Sequence, residues 1–418
     1  MAQIHKRFED SQVKDLISRY LRKEIGRKYV QEILGIRKTR FFALVKRFKE
    51  CAKKFSIQYL RETINRKISP DIEQNILKEL AIDKKLIEAE NNPLSSYNYS
   101  YVKDRLDDKY NQIVSVPTII SKAKRNGYYQ KKRHKKGSHT REVLTNYTGE
   151  LIQHDSSHHK WSPYAAEKWY LITSLDDFSR YIFYAVLVKR ETSWTHIQAL
   201  EAVILKYGFP FSFYTDSHSI FRFVQGRDSF WRNHYKVTDE ADPQWRQILI
   251  ECGIKPINAL SPQAKGKIER PYRWIQDRLV RTCAREDVSE IKQAQIILNS
   301  LIRKYNYHWI HSTTKEIPYL RLKRALKTNS LFREFKLPAP FVSTKDIFCL
   351  RVKRTIDAYR RVSLNNLVFN VKNAMPSEPA TLRIYPLNKN VSEVRFWCKN
   401  KLIDVQRAKN TDLRINFF

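Results

Sequence analysis

The sequence predicts a multidomain fold: a helical N-terminal region, an α/β core with a mixed five-stranded sheet, and a small β-barrel at the C-terminal end. Three observations predict it, namely the length of 418 residues, a change from helical to strand-like periodicity after Gly149, and alternating apolar and polar residues after residue 341. A chain of this length exceeds a single hydrophobic core, so about two to four domains are expected.

Residues 1–90 are predicted to contain a helix-turn-helix. Apolar residues recur at helical spacing across 11–50, with breaks at Gly26 and Gly35, and the last stretch is basic. A helix, a glycine turn and a basic helix are typical of DNA-binding proteins, although a plain α-hairpin explains this pattern equally well. The predicted DNA contacts in this region are Arg37, Lys38 and Arg40.

A second basic helix-turn-helix-like region is predicted over 91–127. Its second helix starts near Pro117 and stops at Gly127, which agrees with the preference for proline in the first turn and glycine just past the end. The segment 128–148 is a basic linker, interpreted as a solvated connector, a nuclear address or a segment that follows phosphates. The predicted DNA contacts here are Lys122, Lys124, Arg125, Lys131, Lys132 and Arg133.

Residues 149–285 are predicted to form the α/β core, because strands joined by hairpins are followed by strands that alternate with helices. The predicted strands are 151–155, 169–175, 181–188, 211–216 and 254–260, and a long helix covers 263–285. Residues 286–337 are predicted to be a helical, basic connector. The strands of 338–418 are too short for a sandwich, so a small β-barrel is predicted there.

The formal charge of +35 predicts a polyanionic partner. Nucleic acid is favoured, because each phosphate that Lys or Arg neutralises releases counterions; ribosome association and membrane-surface binding are the alternatives. A membrane partner is disfavoured because the basic residues are spread along the whole chain. The five cysteines lack pairing intervals, and neither a signal-type apolar segment nor a membrane-spanning run is seen, so a cytoplasmic location is expected.

Three acidic residues stand where a sheet-based active site would place them. Asp155 is expected at the end of the first strand, Asp216 at the end of the fourth, and Glu269 in the helix after the fifth. Carboxylates near buried strands need partners, which are either Lys and Arg or a divalent cation. Mg²⁺ or Mn²⁺ is favoured because hard ions prefer carboxylate oxygens, and a pair of such ions supports phosphodiester chemistry without a protein nucleophile.

Four segments carry a resemblance to a known family: 153–161 (QHDSSHHKW), 175–180 (LDDFSR), 214–221 (YTDSHSIF) and 261–270 (SPQAKGKIER). In this order they resemble the integrase-core, retroviral-integrase-like DDE transposases of bacterial insertion sequences, whose fold is that of ribonuclease H. The resemblance implies that Asp155, Asp216 and Glu269 are the catalytic, metal-binding carboxylates. It also implies a polynucleotidyl transferase that works with two Mg²⁺ or Mn²⁺ ions.

The implied function is DNA transposition. Such an enzyme binds the terminal repeats of its mobile DNA element, cuts the 3′ ends and joins them to double-stranded target DNA, as a homo-oligomer at the nucleoid of a bacterial cytoplasm. Two other functions stay open, namely a non-catalytic DNA-binding regulator derived from a transposase and a ribonuclease H-like nuclease that hydrolyses without joining. The presence of all three acids favours an enzyme over a regulator.

The sequence departs from the family pattern at three points. The interval from Asp216 to Glu269 is longer than is typical, which an insertion over 222–243 would explain. Pro271 follows Glu269 closely and is expected in the first turn of its helix. The zinc-binding His and Cys cluster of retroviral integrases is absent from the N-terminal part.

Residues beside the acids have simpler interpretations than catalysis. The histidines His158, His159 and His218 are interpreted as loop residues at DNA phosphates or backbone groups rather than as metal ligands. Asp176 and Asp177 are interpreted as turn residues, and Trp161 as core with base stacking as the alternative. The predicted phosphate contacts near Glu269 are Lys265, Lys267 and Arg270, with a solvated helix face as the alternative.

Overall fold

The computed structural model describes residues 4–58, 68–90, 92–131, 145–215, 244–258, 266–365 and 367–415. For residues 266–270 it describes the backbone only. The chain divides into two compact units, Met1–Pro70 and Asp71–Phe418. The helical N-terminal region and the mixed five-stranded sheet that the sequence predicts are both present.

The first unit consists of three helices around one apolar core. The helices are α1 (Asp10–Leu21), α2 (Arg27–Leu34) and α3 (Lys38–Glu50). Gly35 ends α2 at a φ of 63°, a left-handed conformation that glycine adopts without steric cost. Buried apolar residues from all three helices pack together and Phe55 and Ile57 complete this cluster. The glycine turn between α2 and α3 therefore forms where the sequence predicts it.

The second unit begins with another helical group. Its members are α4 (Pro70–Glu88), α5 (Tyr99–Tyr110) and α6 (Val116–Arg125). Ser115 caps α6 by accepting a hydrogen bond from the Thr118 N–H, and Pro117 lies in the first turn of this helix. The helices α5 and α6 therefore lie within the segment 91–127, where two successive helices are predicted.

The centre of the second unit is a mixed sheet with the strand order β3-β2-β1-β4-β5. Its strands are β1 (Ile152–His159), β2 (Trp169–Asp176), β3 (Ile182–Val188), β4 (Ser212–Thr215) and β5 (Lys255–Asn258). The first three strands pair antiparallel, while β4 runs parallel to β1 and β5 runs parallel to β4. The order of antiparallel hairpins followed by parallel crossovers agrees with the predicted α/β core.

Helices cover both faces of this sheet. The helices are α7 (Ser193–Tyr207), α8 (Gln244–Glu251), α9 (Gly266–Arg285), α10 (Ile291–Tyr307) and α11 (Pro318–Thr328). The helices α7 and α8 pack with Ile152 and Phe213 on one face, whereas α9 and α10 pack with Leu171 and Leu175 on the other. The expectation for Pro271 is wrong: α9 begins at Gly266, so this proline lies in the second turn rather than the first.

The edge strand β3 is closed by two amide side chains of α10. Asn306 accepts a hydrogen bond from the Ile182 N–H at 3.0 Å and donates one to the Ile182 carbonyl at 2.9 Å. Gln295 accepts from the Leu187 N–H at 2.7 Å. These amides take the place of a neighbouring strand and satisfy backbone groups that an edge strand would otherwise expose. The helical segment predicted as a connector thus packs directly on the central sheet.

The C-terminal region is β-structured, but the predicted closure into a small barrel is not confirmed. It forms an open four-stranded antiparallel sheet of order β11-β10-β9-β6 and a separate hairpin of β7 and β8. The elements are β6 (Leu350–Thr355), β7 (Arg361–Leu364), β8 (Leu367–Asn370), β9 (Pro379–Pro386), β10 (Val391–Cys398), β11 (Lys401–Lys409) and α12 (Asn410–Leu413). The sheets stay open because the β7–β8 hairpin pairs with itself rather than bridging β6 and β11.

This C-terminal sheet shares one hydrophobic core with α7 and α8. Charged residues line the same junction: Arg383 and Arg351 both bind the carboxylate of Glu251 at the end of α8. No helix in the described part of the chain is long and apolar enough to cross a membrane. Each of the five cysteines is an unpaired thiol, as their spacing predicts.

One carboxyl group at this junction responds to pH near neutrality. The Tyr385 hydroxyl of β9 donates to the carboxyl oxygens of Glu201 on α7, at 3.3 Å from each. Burial raises the pKa of Glu201 from 4.5 to about 7, and the hydrogen bond from Tyr385 offsets part of that effect. Since the folded state holds this proton more tightly than the unfolded chain, the associated stability is complete below pH 4.5 and is lost as the pH rises to about 7.

Glu201→Gln should remove this pH dependence. Between pH 5 and 8 we expect the free energy of unfolding of wild type to fall by on the order of 1–2 kcal/mol relative to that of the variant, because glutamine carries no charge to bury. Urea unfolding across this pH range measures it, with Glu286→Gln at an exposed position as the control. Parallel pH profiles for wild type and Glu201→Gln would contradict the assignment.

Candidate active site

The sequence led us to expect Asp155 at the end of β1, but it lies in the middle of this strand. It pairs with Thr173 of β2, and the strand continues through Ser156 to His159, which pairs with Trp169. The polar residues after Asp155 remain in the strand because each of them has a backbone partner in β2. Asp155 is half-buried and shares with Thr173 the sheet face that α9 covers.

The other two predicted carboxylates cannot be compared with Asp155 directly. The description of β4 stops at Thr215, so Asp216 lies outside the described residues, and Glu269 belongs to α9 with its side chain outside them. Within the described ranges, no group of three His, Cys, Asp or Glu side chains forms a potential metal cluster. The convergence of the three acids therefore stays a prediction. Lys132, Arg133, His218 and Lys265, and the side chains of Lys267 and Arg270, also lie outside the described part.

Tyr272 of α9 makes a contact at Asp155 that sequence reasoning missed. Its hydroxyl donates to the Asp155 backbone carbonyl at 2.7 Å and accepts a hydrogen bond from the Thr173 hydroxyl at 2.8 Å. One helical turn later, the Gln276 amide nitrogen lies 2.8 Å from Nε2 of His159. The two contacts show that α9 runs alongside β1 in the same direction. The signal available in the sequence was the position of Tyr272, three residues after Glu269.

A buried hydrogen-bonded network lies on the opposite face of β1. Nε2 of His154 lies 2.8 Å from Nδ1 of His196 on α7, and the other ring nitrogen of His154 lies 2.9 Å from the Ser174 hydroxyl. The network continues from Nε2 of His196 to the Glu191 carboxylate at 2.9 Å. Ser156 donates to the same carboxylate. Both residues that flank Asp155 in the sequence are therefore held by polar contacts on the α7 side.

This network adds buried polar contacts to the apolar packing of α7 on the sheet. His154 and His196 are fully buried. The indole ring of Trp245 on α8 stacks on the His154 ring, with a centroid distance of 5.7 Å. A buried polar group without a partner is costly, so such networks tolerate only one arrangement of the elements that they join. The signal in the sequence was the alternation that places His154 on the same face as the buried Ile152.

Asp176 and Asp177 are confirmed as structural residues of the β2–β3 turn. Asp176 is fully buried and accepts hydrogen bonds from the Ser179 N–H and hydroxyl at 2.9 and 2.6 Å and from the Gly149 N–H at 3.0 Å. Asp177 pairs with Arg180 at 3.1 Å. Burial raises the pKa of Asp176 despite these donors. The two acids stabilise the turn, and their carboxylates are engaged within the protein.

The aromatic residues near the end of β1 are mostly structural. Trp161 is fully buried, and its indole N–H donates to the Trp169 carbonyl at 3.0 Å, which confirms the interpretation as core. His158 is exposed and stacks on Tyr170 at a centroid distance of 4.2 Å. Burial lowers the pKa of His159, so this ring favours its neutral form.

The predicted DNA contacts differ in their availability. Six of them are exposed on the surface of the described residues: Arg37, Lys38, Arg40, Lys124, Arg125 and Lys131. Lys122 is mostly buried, and its ammonium group lies 2.5 Å from the Glu73 carboxylate of α4. The charge of Lys122 is therefore already partnered inside the chain, whereas Lys124 and Arg125 of the same helix are exposed.

Buried ion pairs join α9 to the helical group α4–α6. Arg285 of α9 binds Glu79 and Asp83 of α4, both of which have fully buried side chains, and Arg281 binds Asp83 at 3.0 Å. Burial raises the pKa of Glu79, but the contact with Arg285 outweighs it and the pKa lies below its usual value. The helical group to which α6 with Lys124 and Arg125 belongs is thus fixed, through α4, to the helix that carries Glu269.

Comparison with curated proteins identifies transposases. The chain is 28% identical over 180 residues to the y4bF protein of Sinorhizobium fredii, which carries a provisional transposase name, and the alignment covers 43% of this chain and 38% of that protein. It is 29% identical over 271 residues to the transposase for insertion sequence IS1202 of Streptococcus pneumoniae, covering 65% of this chain and 49% of that protein. The chain spans less than half the length of either relative.

Solved structures give a weaker comparison. The catalytic core domain of HTLV-2 integrase in complex with magnesium is 19% identical, covers 42% of this chain and 96% of its own, and has a TM-score of 0.31. No protein-family model matches the chain. The fold assignment therefore depends on the strand order of the chain itself, and the similarity to curated transposases confirms the resemblance that the four sequence motifs indicate.

The ion pairs between α4 and α9 should contribute strongly to stability. We expect Arg285→Met to lower the free energy of unfolding by about 3–5 kcal/mol, because it leaves buried carboxylates without their main partner. Lys84→Met, at the exposed ion pair between Lys84 and Glu88 on α4, should cost less than about 1 kcal/mol. Urea unfolding measures both. If Arg285→Met lowered the free energy of unfolding as little as Lys84→Met does, the buried pairs would add nothing to this interface.

Proposed function

We propose that this chain is a DDE transposase, a metal-dependent polynucleotidyl transferase that cuts the ends of its own mobile DNA element and joins them to target DNA. The observation that carries the proposal is the position of Asp155, where the central strand β1, the end of β4 and the helix α9 come together. The sequence similarity to transposases agrees with this chemistry. Asp155, Asp216 and Glu269 are the proposed catalytic residues.

The strand register supports Asp216 as the second carboxylate. In the parallel pairing of β1 with β4, Ile152 lies beside Phe213 and Gln153 beside Tyr214. The proposal extends this register by two residues, which would place position 216 beside Asp155. Neighbouring strands of a sheet lie about 5 Å apart, so two acids at paired positions are close enough to share cations.

The register of α9 supports Glu269 as the third carboxylate. Tyr272 meets β1 at Asp155, and Glu269 precedes Tyr272 by three residues, which is slightly less than one turn of an α-helix. Residues three positions apart lie on neighbouring parts of one helix surface. In this proposal Glu269 lies on the side of α9 that faces β1, about one turn before Tyr272.

The donor set suits Mg²⁺ or Mn²⁺. Asp155 offers a half-buried carboxylate, and Asp216 and Glu269 would add two more, which is the all-oxygen set that hard divalent cations prefer. A pair of such ions supplies activation of the attacking oxygen and stabilisation of the leaving oxygen. The chain's own contribution is to hold the carboxylates rigidly and to bring the DNA phosphate to them.

The proposed reaction has two steps of the same kind. Water first attacks a phosphodiester at the element end and releases a 3′-hydroxyl. That hydroxyl then attacks a phosphodiester of the target strand, so one bond forms as another breaks and the target's own 3′-oxygen leaves with a proton. Since the number of phosphodiester bonds is unchanged in the joining step, no nucleotide cofactor is required.

DNA binding is assigned to the basic helices. In this proposal Arg37, Lys38 and Arg40 at the start of α3 bind the terminal repeats as part of a helix-turn-helix. The residues Lys124, Arg125 and Lys131, with Lys132, Arg133, Lys265, Lys267 and Arg270, contact phosphates closer to the carboxylates. Because two element ends and a target are handled together, the active form is proposed to be a homo-oligomer on DNA.

Asp155→Asn should abolish Mg²⁺-dependent cleavage of the element ends. We expect cleavage to fall by at least about 1,000-fold while binding to the same DNA changes little, because asparagine keeps the shape of the residue but removes its charge. Asp287→Asn is the matched control, since Asp287 is exposed and adopts a left-handed conformation that asparagine tolerates. Undiminished cleavage by Asp155→Asn would rule the proposed active site out.

A substrate with a pre-cut end separates the alternative functions. Wild-type protein that joins this end to target DNA is a transposase, whereas hydrolysis without joining identifies a nuclease. A wild-type protein that binds the ends and does neither is a regulator.

The double variant Lys124→Ala/Arg125→Ala should weaken binding to DNA of any sequence and reduce its salt dependence. We expect the slope of log K against log salt concentration to become less negative by about 2, because each lost phosphate contact contributes roughly 0.9. Lys84→Ala/Lys85→Ala on α4 removes the same charge and is the control. Equal slopes for the two double variants would mean that α6 makes no phosphate contact.

A further inference from the structure

Tyr272 joins three elements at the level of Asp155. The hydroxyl of Thr173 on β2 donates to the Tyr272 oxygen at 2.8 Å, and Tyr272 in turn donates its proton to the Asp155 carbonyl of β1 at 2.7 Å. Thr173 is 3% exposed and Tyr272 is 8% exposed. A hydrogen-bonded chain out of water has a defined direction, and each bond strengthens the next one.

The remaining contacts of α9 with this face of the sheet are largely apolar. Ile275, Leu279 and Cys283 pack into the cluster that contains Leu171 and Leu175. Apolar packing has no directional preference, so such contacts set the distance between helix and sheet better than the position of the helix along its own axis. The directional contacts that set this axial position are the hydrogen bond from Tyr272 to the Asp155 carbonyl and, one turn later, the contact of Gln276 with His159.

The axial position of α9 has a chemical consequence if the proposed function is correct. Glu269 lies three residues before Tyr272 on α9, while Asp155 is the residue whose carbonyl Tyr272 binds. Sites that bind cations need their ligands held to within about 0.5 Å. A small slip of α9 along β1 would therefore change the spacing of two carboxylates that come from different elements.

We propose that Tyr272 is a positioning residue that holds α9 on β1 at the register required for divalent-ion binding, with Thr173 orienting its hydroxyl. The proposal rests on the function proposed above for Asp155 and Glu269. Tyr272 acts through the backbone of Asp155, so its loss alters the affinity for the ion before it alters the chemistry of the loaded enzyme.

Tyr272→Phe is the direct test, because it removes one oxygen atom and keeps the ring in the apolar cluster. Calorimetric titration of the DNA-free protein with Mn²⁺ gives a readout that does not depend on activity. We expect the dissociation constant to rise about 10-fold or more, as is usual when a residue supporting a metal ligand is removed. The Mg²⁺ concentration for half-maximal cleavage should rise in parallel, while the rate at saturating Mg²⁺ falls much less.

Tyr305→Phe provides a matched control within the same cluster. Tyr305 is 2% exposed, and in the part of the chain that the structure describes its hydroxyl has no hydrogen-bond partner. Its substitution should leave Mn²⁺ affinity unchanged. Thr173→Val should weaken Mn²⁺ binding in the same direction as Tyr272→Phe, and the double variant should be no worse than Tyr272→Phe alone, since both changes break one chain of hydrogen bonds.

The outcomes separate this proposal from the function on which it rests. If wild type binds Mn²⁺ and cleaves DNA while Tyr272→Phe and Thr173→Val match it in affinity, the positioning role is wrong and the proposed function stands. If wild type neither binds Mn²⁺ nor cleaves, both proposals fail. Urea unfolding identifies a variant that does not fold, and in that case the milder Thr173→Val decides the question by its Mn²⁺ affinity.

Discussion

The strand β1 is held from both faces by directional hydrogen bonds, and the rest of the second unit is arranged around it. On one face His154 binds His196 of α7, and on the other the Asp155 carbonyl accepts a hydrogen bond from Tyr272 of α9. A strand between two helices could slide if only apolar side chains met there. Polar contacts on successive residues remove that freedom, because each displacement would leave a buried donor or acceptor without a partner.

The helix α9 carries this constraint outwards. One side meets β1 through Tyr272, and another side binds the acidic residues Glu79 and Asp83 of α4 through Arg281 and Arg285. The helical group that exposes Lys124 and Arg125 is therefore fixed relative to Asp155 by buried contacts rather than by a free linker. A DNA-binding surface fixed in this way would present a bound phosphate to the carboxylates at a set distance, which is the positioning that phosphoryl transfer depends on.

Local sequence patterns predicted the helices and strands well, because periodicity and turn residues act over a few positions. They predicted Asp176 correctly as a turn residue for the same reason. The predicted barrel closure was not confirmed, and the predicted position of Asp155 at the end of a strand was wrong, because both depend on pairing with distant strands. Ser156 to His159 are polar like a loop but are paired along β2. Tyr272 was missed because a side chain that binds a backbone carbonyl leaves no periodic signal, and its spacing of three residues from Glu269 was the signal that remained.

The mid-strand position of Asp155 favours a rigid site. A carboxylate at the end of a strand has a backbone fixed on one side, whereas Asp155 is followed by four more paired residues. Its flanking residues His154 and Ser156 are both tied into the network beneath the sheet. Charge stabilisation by a prearranged site costs little reorganisation during the reaction, so a backbone fixed on both sides is an advantage for an acid with the proposed role of holding cations. The polar network below β1 and the hydroxyl of Tyr272 above it then serve one purpose, the fixed placement of a single carboxylate.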